Sequence, residues 1–153
     1  MSSERLWSPA FINYGVSSGI FYMTQYVLVA ALPIILTAEL GGTALDAGLA
    51  MTYFQIGTIL CRPFAGRLID GLDKRIILLI SSVLFFIIMG LFNLTTSLQT
   101  IFVLRGIHGA IFALGTTVMA ALAVVVLPAS RKGEGINMFA VFSNIAMVLG
   151  PAV

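Results

Sequence analysis

Charge is what this chain has least of. Only 9% of its 153 residues are Asp, Glu, Lys or Arg, while 59% are hydrophobic; an average soluble domain carries roughly 25% charged residues. A soluble domain of this size has no core large enough for so much apolar surface, so lipid is the solvent for most of the chain. The formal net charge of +2 is too small to argue for nucleic acid. A single cysteine, Cys61, excludes an internal disulfide and supplies no metal cluster; in its apolar run it is a small buried residue. No phosphate-binding loop, metal-ligand set or nucleophile with its base stands in the sequence, so neither an enzyme nor a cofactor is expected. Acids are missing from every long apolar run. Glu4, Glu39, Asp46, Asp70, Asp73 and Glu134 all fall at or beyond run ends.

What is present is a series of long apolar runs. A helix that crosses the hydrocarbon needs roughly 20 residues, and these runs lack the alternation of barrel strands. The reading is an all-α membrane protein with about five transmembrane helices, at about 9–36, 45–69, 76–94, 99–127 and 135–153. Ser8-Pro9 forms an N-cap with proline at the first helical position. Thr43-Ala-Leu-Asp46 has capping-box spacing. Pro33 is expected to kink or end the first helix. That first run is uncharged from Leu6 to Ala38, well beyond the roughly 7–15 residues of a signal-peptide core, so it reads as a retained span. The fifth run is still apolar at Val153, so the natural chain is expected to continue and the fifth helix to be truncated here.

Of the eight Lys and Arg, six lie in alternate connections: Arg5, Arg67, Lys74, Arg75, Arg131 and Lys132. The first and third connections hold none. The positive-inside rule then puts the N-terminus and the Asp70–Arg75 loop in the cytoplasm of a multi-pass protein of the plasma membrane, the inner membrane of a bacterium.

The segment Gly66-Arg-Leu-Ile-Asp70-Gly-Leu-Asp-Lys74-Arg75 is the most specific signal. It resembles the signature between the second and third helices of the major facilitator superfamily: a glycine, an aspartate four residues on, then two basic residues. Gly66, Leu68, Asp70, Lys74 and Arg75 match. Gly71 stands where the family usually has a basic residue and Asp73 where it usually has glycine. The resemblance implies a helical bundle of the superfamily type, of which 1–153 is the N-terminal part, with the C-terminal half absent. It also implies that Gly66, Asp70, Lys74 and Arg75 latch a cytoplasmic gate. Gly66 would let another helix approach, and Asp70 would face a helix N-terminus from the other half. On charge alone a solvated positive-inside loop is the better reading; the glycine and aspartate spacing turns the balance to the gate.

The other two cations fall inside spans, where arginine is rare and usually faces a bundle interior or a watery cavity. Arg105 lies roughly 9 Å from the outer end of the fourth helix at 1.5 Å per residue. Arg105 and His108 share one helix face, joined by Phe112 and Met119. Leu104-Arg105-Gly-Ile-His108-Gly109 resembles a second family motif, whose arginine lines the cavity of antiporters and takes part in proton transfer; His108 replaces the usual glutamine. His108 either carries the coupled proton, since imidazole titrates near neutrality, or hydrogen-bonds across helices. Arg62 shares a face with Met51, Gln55 and Thr58 and either snorkels to headgroups or serves a cavity or gate. With no acid in the spans, coupling falls to His108 with Arg105, to an end-located Glu39 or Asp46, or to the absent half.

Tyr14, Ser18, Tyr22 and Gln25 align as a polar and aromatic stripe on the first helix, and Gly15–Gly19 has the spacing of a packing face. Tyr22, Gln25, Gln55, Phe112 and Asn144 are the expected substrate-cavity residues. Gly150-Pro151, after Ala146, resembles the start of the family's antiporter motif, where proline bends the helix. The resemblance thus implies a secondary transporter: proton-coupled efflux of a small amphiphilic organic substrate by alternating access. Its partners would be that substrate, protons, the bilayer and the absent half, with no nucleic acid and no metal. A facilitator without proton coupling, another metabolite exporter of the family, and a stand-alone membrane channel or assembly protein stand as alternatives.

Overall fold

A computed structural model describes residues 5–152; Glu4 and Val153 lie outside them. Five helices are long and apolar enough to cross a membrane: α1 (Pro9–Ala38), α2 (Ala44–Gly71), α3 (Lys74–Phe92), α4 (Leu98–Val125) and α5 (Lys132–Leu149). Two 3₁₀ turns, Ala129–Arg131 and Gly150–Ala152, flank α5. The described residues contain no strand.

Local chemistry explains most of the boundaries. Ser8 Oγ accepts the Phe11 N–H at 3.1 Å to start α1. Thr43 and Asp46 form the capping box of α2, the Asp46 carboxylate accepting the Thr43 N–H at 2.7 Å. α3 begins at Lys74 rather than 76 because Asp73 accepts the Arg75 N–H at 2.7 Å. It ends at Phe92 rather than 94 because the Asn93 and Leu94 N–H groups bond three residues back, to Gly90 and Leu91. α5 starts at Lys132, ahead of 135, beside an ion pair of Arg131 and Glu134 at 2.7 Å. Pro33 does not end α1, which runs on to Ala38. The turn comes instead at Gly41, whose φ of +64° is open to glycine, and it carries the Gly42 N–H to the Leu36 carbonyl at 2.8 Å.

Four apolar clusters stack along the bundle. Leu6, Phe11, Ala123 and Leu127 join the N-terminus to the end of α4. Ile69, Ile77, Val118 and Leu122 join the α2–α3 connection to the same region of α4. Phe21, Phe54, Phe85, Phe112 and Met119 fill the middle, and Leu32, Leu36, Ala47, Ala50 and Ile101 the opposite end. This stacking collects Arg5, Arg67, Lys74, Arg75, Arg131 and Lys132 at one end, as the alternate-loop count requires. α4 is the most enclosed helix, with α1, α2 and α3 against it. The exposed residues of the outer faces, among them Ile59, Leu60, Phe64, Phe86 and Val148, are apolar, as a lipid solvent demands.

The closest helix pair is α2 and α4. A methyl group on Gly57 would run into the Gly106 carbonyl, and one on Gly109 into the Phe54 carbonyl. Thr58 Oγ1, 2.9 Å from its own Phe54 carbonyl, also reaches the Gly109 carbonyl at 3.2 Å. Small residues with a hydroxyl bridge make a tight contact where lipid supplies no hydrophobic drive between helices. The Gly15–Gly19 face serves α1 in the same way, seating the Phe142 ring of α5.

Candidate functional site

Arg105 is fully buried at 0% exposure, and three helices meet on its guanidinium. Nη1 donates to Gln25 Oε1 of α1 at 3.2 Å and to His108 Nδ1 of α4 at 3.1 Å. Nη2 donates to Met51 Sδ of α2 at 3.4 Å. Cζ lies 4.5 Å from the centre of the Phe54 ring, a cation–π contact made stronger by the absence of water. Arginine has only donors, so His108 Nδ1 is the acceptor, and the imidazole is neutral with its proton on Nε2. Phe54 and Phe85 stand 5.1 Å from the imidazole and Phe92 5.9 Å. Inside this aromatic box His108 Nε2 has no hydrogen-bond partner among the described residues, nor does Arg105 Nε. Among the described residues no carboxylate contacts Arg105; the recorded ion pair, Arg131–Glu134, is at a helix end.

Beside this network opens a cleft of about 300 Å³, lined by Tyr22, Gln25, Gln55 and Phe112 together with Met51, Phe54, Thr58 and Arg62. Four of the five expected cavity residues are therefore together, with Phe112 edge-on to Tyr22 at 5.0 Å. Asn144 is the exception. It is exposed among Val141, Ile145, Val148 and Leu149 on another surface of α5. α5 buries Ala146, and a residue two positions away points about 200° around the helix. Arg62 also borders a second cleft of about 340 Å³ with Ser18, Tyr22, Thr117 and Ser143. The α2 stripe of Met51, Gln55, Thr58 and Arg62 thus faces clefts along its length. Gly109, grouped by sequence with the Arg105 motif, forms part of the α2–α4 contact.

At the basic end, Lys74 Nζ donates to the Ile69 carbonyl at 3.1 Å and ties α3 back to α2. Asp73 needs no left-handed backbone: its φ is −64° and it caps α3. Asp70 and Arg75 are exposed. Around Gly66, no other element of the described residues comes within 4 Å of where its Cβ would stand. It packs against no helix of this segment. At the far end of α5, Gly150 is buried against Tyr26 and the Met23 carbonyl. The helix changes from α to 3₁₀ at Gly150, with Pro151 in the turn.

Sequence reasoning did not assign Phe54, Phe85 and Phe92 to this site. Three phenylalanines at helical spacing in apolar runs carry no mark that separates a box around an imidazole from ordinary core.

The sequence profile described as Major Facilitator Superfamily matches residues 14–153. The Quinolone resistance protein NorA of Staphylococcus aureus (strain MRSA252) is 26% identical over 127 residues, which is 83% of this chain and 32% of that protein. The Staphylopine export protein of Staphylococcus aureus (strain Mu50 / ATCC 700699) is 26% identical over 157 residues, covering 100% of this chain and 38% of that protein. The chain spans about a third of the length of these relatives. Five apolar helices and a profile match over nearly the whole chain agree: this multi-pass membrane protein belongs to the major facilitator superfamily, a family of transporters.

Proposed function

We propose that this chain is the N-terminal portion of a proton-coupled exporter, which moves a small amphiphilic organic molecule outward by alternating access between two helical halves. One observation carries the reading: a fully buried guanidinium, without an acid partner among the described residues, hydrogen-bonded to a neutral imidazole at the edge of a polar and aromatic cleft. The name of one relative, the Staphylopine export protein, supports the outward direction.

The chemistry of the pair supplies a coupling device. The His108 Nδ1 lone pair holds either a proton or the Arg105 N–H. A proton arriving there breaks the 3.1 Å bond and sets two positive charges side by side in a medium of low dielectric. Arg105 then swings away from His108 along the Gln25 side, toward the cleft. Proton and substrate thus compete for one volume, as antiport requires. At the basic end, Asp70 and Arg75, both exposed, engage the opposite half in the outward-open state, while Lys74 and Asp73 hold the α2–α3 elbow rigid. The basic end faces the cytoplasm of a bacterial inner membrane.

The test uses everted membrane vesicles that carry the full-length protein and a panel of ethidium, Hoechst dye and dansylglycine. At least one probe accumulates when the vesicle interior is acidified, and nigericin, which collapses the pH gradient, stops it. Accumulation that persists after collapse identifies a facilitator and rejects the coupling.

A further inference from the structure

The clefts on the two sides of Tyr22 hold an excess of hydrogen-bond donors over acceptors among the described residues. Arg62 borders both and brings five N–H donors and a permanent charge. It stands eleven residues along α2 from Met51, about 16 Å from the level of Arg105 at 1.5 Å per residue, so the two cations are separate sites. The hydroxyls of Thr116, Thr117 and Ser143 are turned back onto the Phe112, Ala113 and Ala140 carbonyls at 2.8, 2.6 and 2.9 Å. Those of Tyr22 and Ser18 make no such bond and remain as donors, as does the Gln55 amide.

Among the described residues no acid supplies the matching acceptors. Asp46 and Asp73 are committed to helix caps and Glu134 to Arg131. Glu39 ends α1 at the far side of the bundle and borders a different cleft, and Asp70 lies at the exposed elbow. Arg62 is itself exposed and borders both clefts, while Ile59, Leu60 and Phe64 form the apolar surface beside it on this stretch of α2.

We infer that the Arg62 clefts are a binding subsite for the carboxylate of the transported molecule, whose apolar rings lie against Tyr22 and Phe112. The guanidinium fork matches a carboxylate in two parallel hydrogen bonds. A single guanidinium balances a single negative charge, which favours a monoanion over a phosphate dianion. Tyr22 O–H and Ser18 O–H complete the set of donors. This inference rests on the exporter reading, because it names the class of that exporter's substrate: an aromatic carboxylic acid or a zwitterion carrying one.

The experiment is equilibrium fluorescence titration of the purified full-length protein with dansylglycine and with dansylglycinamide, which share the ring system and differ in the carboxylate. The wild-type protein binds dansylglycine at least about tenfold more tightly, the scale of a hydrogen bond to a charged group. Arg62→Gln erases that preference and leaves the amide within about twofold, while Arg62→Lys, with charge but no fork, keeps part of it. Equal binding of the two probes by wild type, a preference that survives Arg62→Gln, or a parallel loss of both probes in Arg62→Gln and Arg62→Lys overturns the inference. No gradient is present in this measurement. Failure of proton coupling therefore leaves it untouched, and failure at Arg62 leaves the Arg105–His108 reading standing.

Discussion

Replacing Arg105 with alanine is expected to abolish gradient-driven export, by on the order of 100-fold or more, the loss typical of deleting a preorganised charged donor. The protein should still reach the membrane at wild-type level. The reason lies in what the substitution leaves behind. Removing one member of a buried ion pair strands a charge, but Arg105 has no acidic partner among the described residues, so its removal leaves there only a neutral imidazole, an amide and a thioether. Insertion is therefore preserved while the switch is lost. Arg105→Lys keeps the charge on a single ammonium that cannot bridge Gln25, His108 and Met51 together, so export is expected to fall between wild type and Arg105→Ala. Quantitative blotting of the membrane fraction beside vesicle transport separates the two effects. Wild-type proton-driven export by Arg105→Ala would remove this residue from the mechanism.

The largest structural effect is expected at Gly57. Alanine there places a methyl group against the Gly106 carbonyl, which is backbone and cannot rotate aside. The two helices must then separate, and the Thr58–Gly109 bond of 3.2 Å is lost with them. Overpacking of this kind costs about 1–3 kcal/mol, occasionally more. Gly48 on the same helix is the matched control, since a Cβ there meets nothing within 4 Å; alanine at that position should be neutral or mildly stabilising through helix propensity. Resistance of the purified protein to heat or SDS should drop for Gly57→Ala and hold for Gly48→Ala. Equal behaviour of the two variants would show that the α2–α4 approach is looser than described. Because Phe54, Gln55 and Met51 ride on α2, the Gly57 variant should also disturb the Arg105 site.

How much of this was legible in the residues follows from what periodicity can carry. Apolar runs and caps marked out five helices, with ends displaced by up to four residues where a side chain such as Asp73, or a 3₁₀ turn, took over. Helical spacing put Arg105 and His108 on one face and Tyr22 with Gln25 on another, and both stripes border the same site. Lateral arrangement is a different matter. Nothing in the spacing of α3 announces that Phe85 and Phe92 enclose the imidazole of α4, or that Met51 turns its sulfur to Arg105. Asn144 lies apart from the other four for the same reason: the packing of Phe142 and Ala146 against α1 turns it to another surface of this segment. Pro33 was overweighted, since one lost backbone bond did not stop a helix that lipid would penalise for opening. Gly66 matches the family signature, yet within this segment it has no neighbour to admit.

The account stands on the cleft beside Arg105 being a water-filled path rather than a seam filled by acyl chains. The direct measurement is the rate of modification of single cysteines by a charged, membrane-impermeant thiol reagent, in full-length protein whose Cys61 has first been replaced by alanine. Gln55→Cys, on the cleft wall, is expected to react readily, while Leu60→Cys, about 140° around α2 from it and 63% exposed on the apolar face, stays unmodified. Rapid modification at Leu60→Cys with an inert Gln55→Cys would put lipid where the account puts water, and would contradict it.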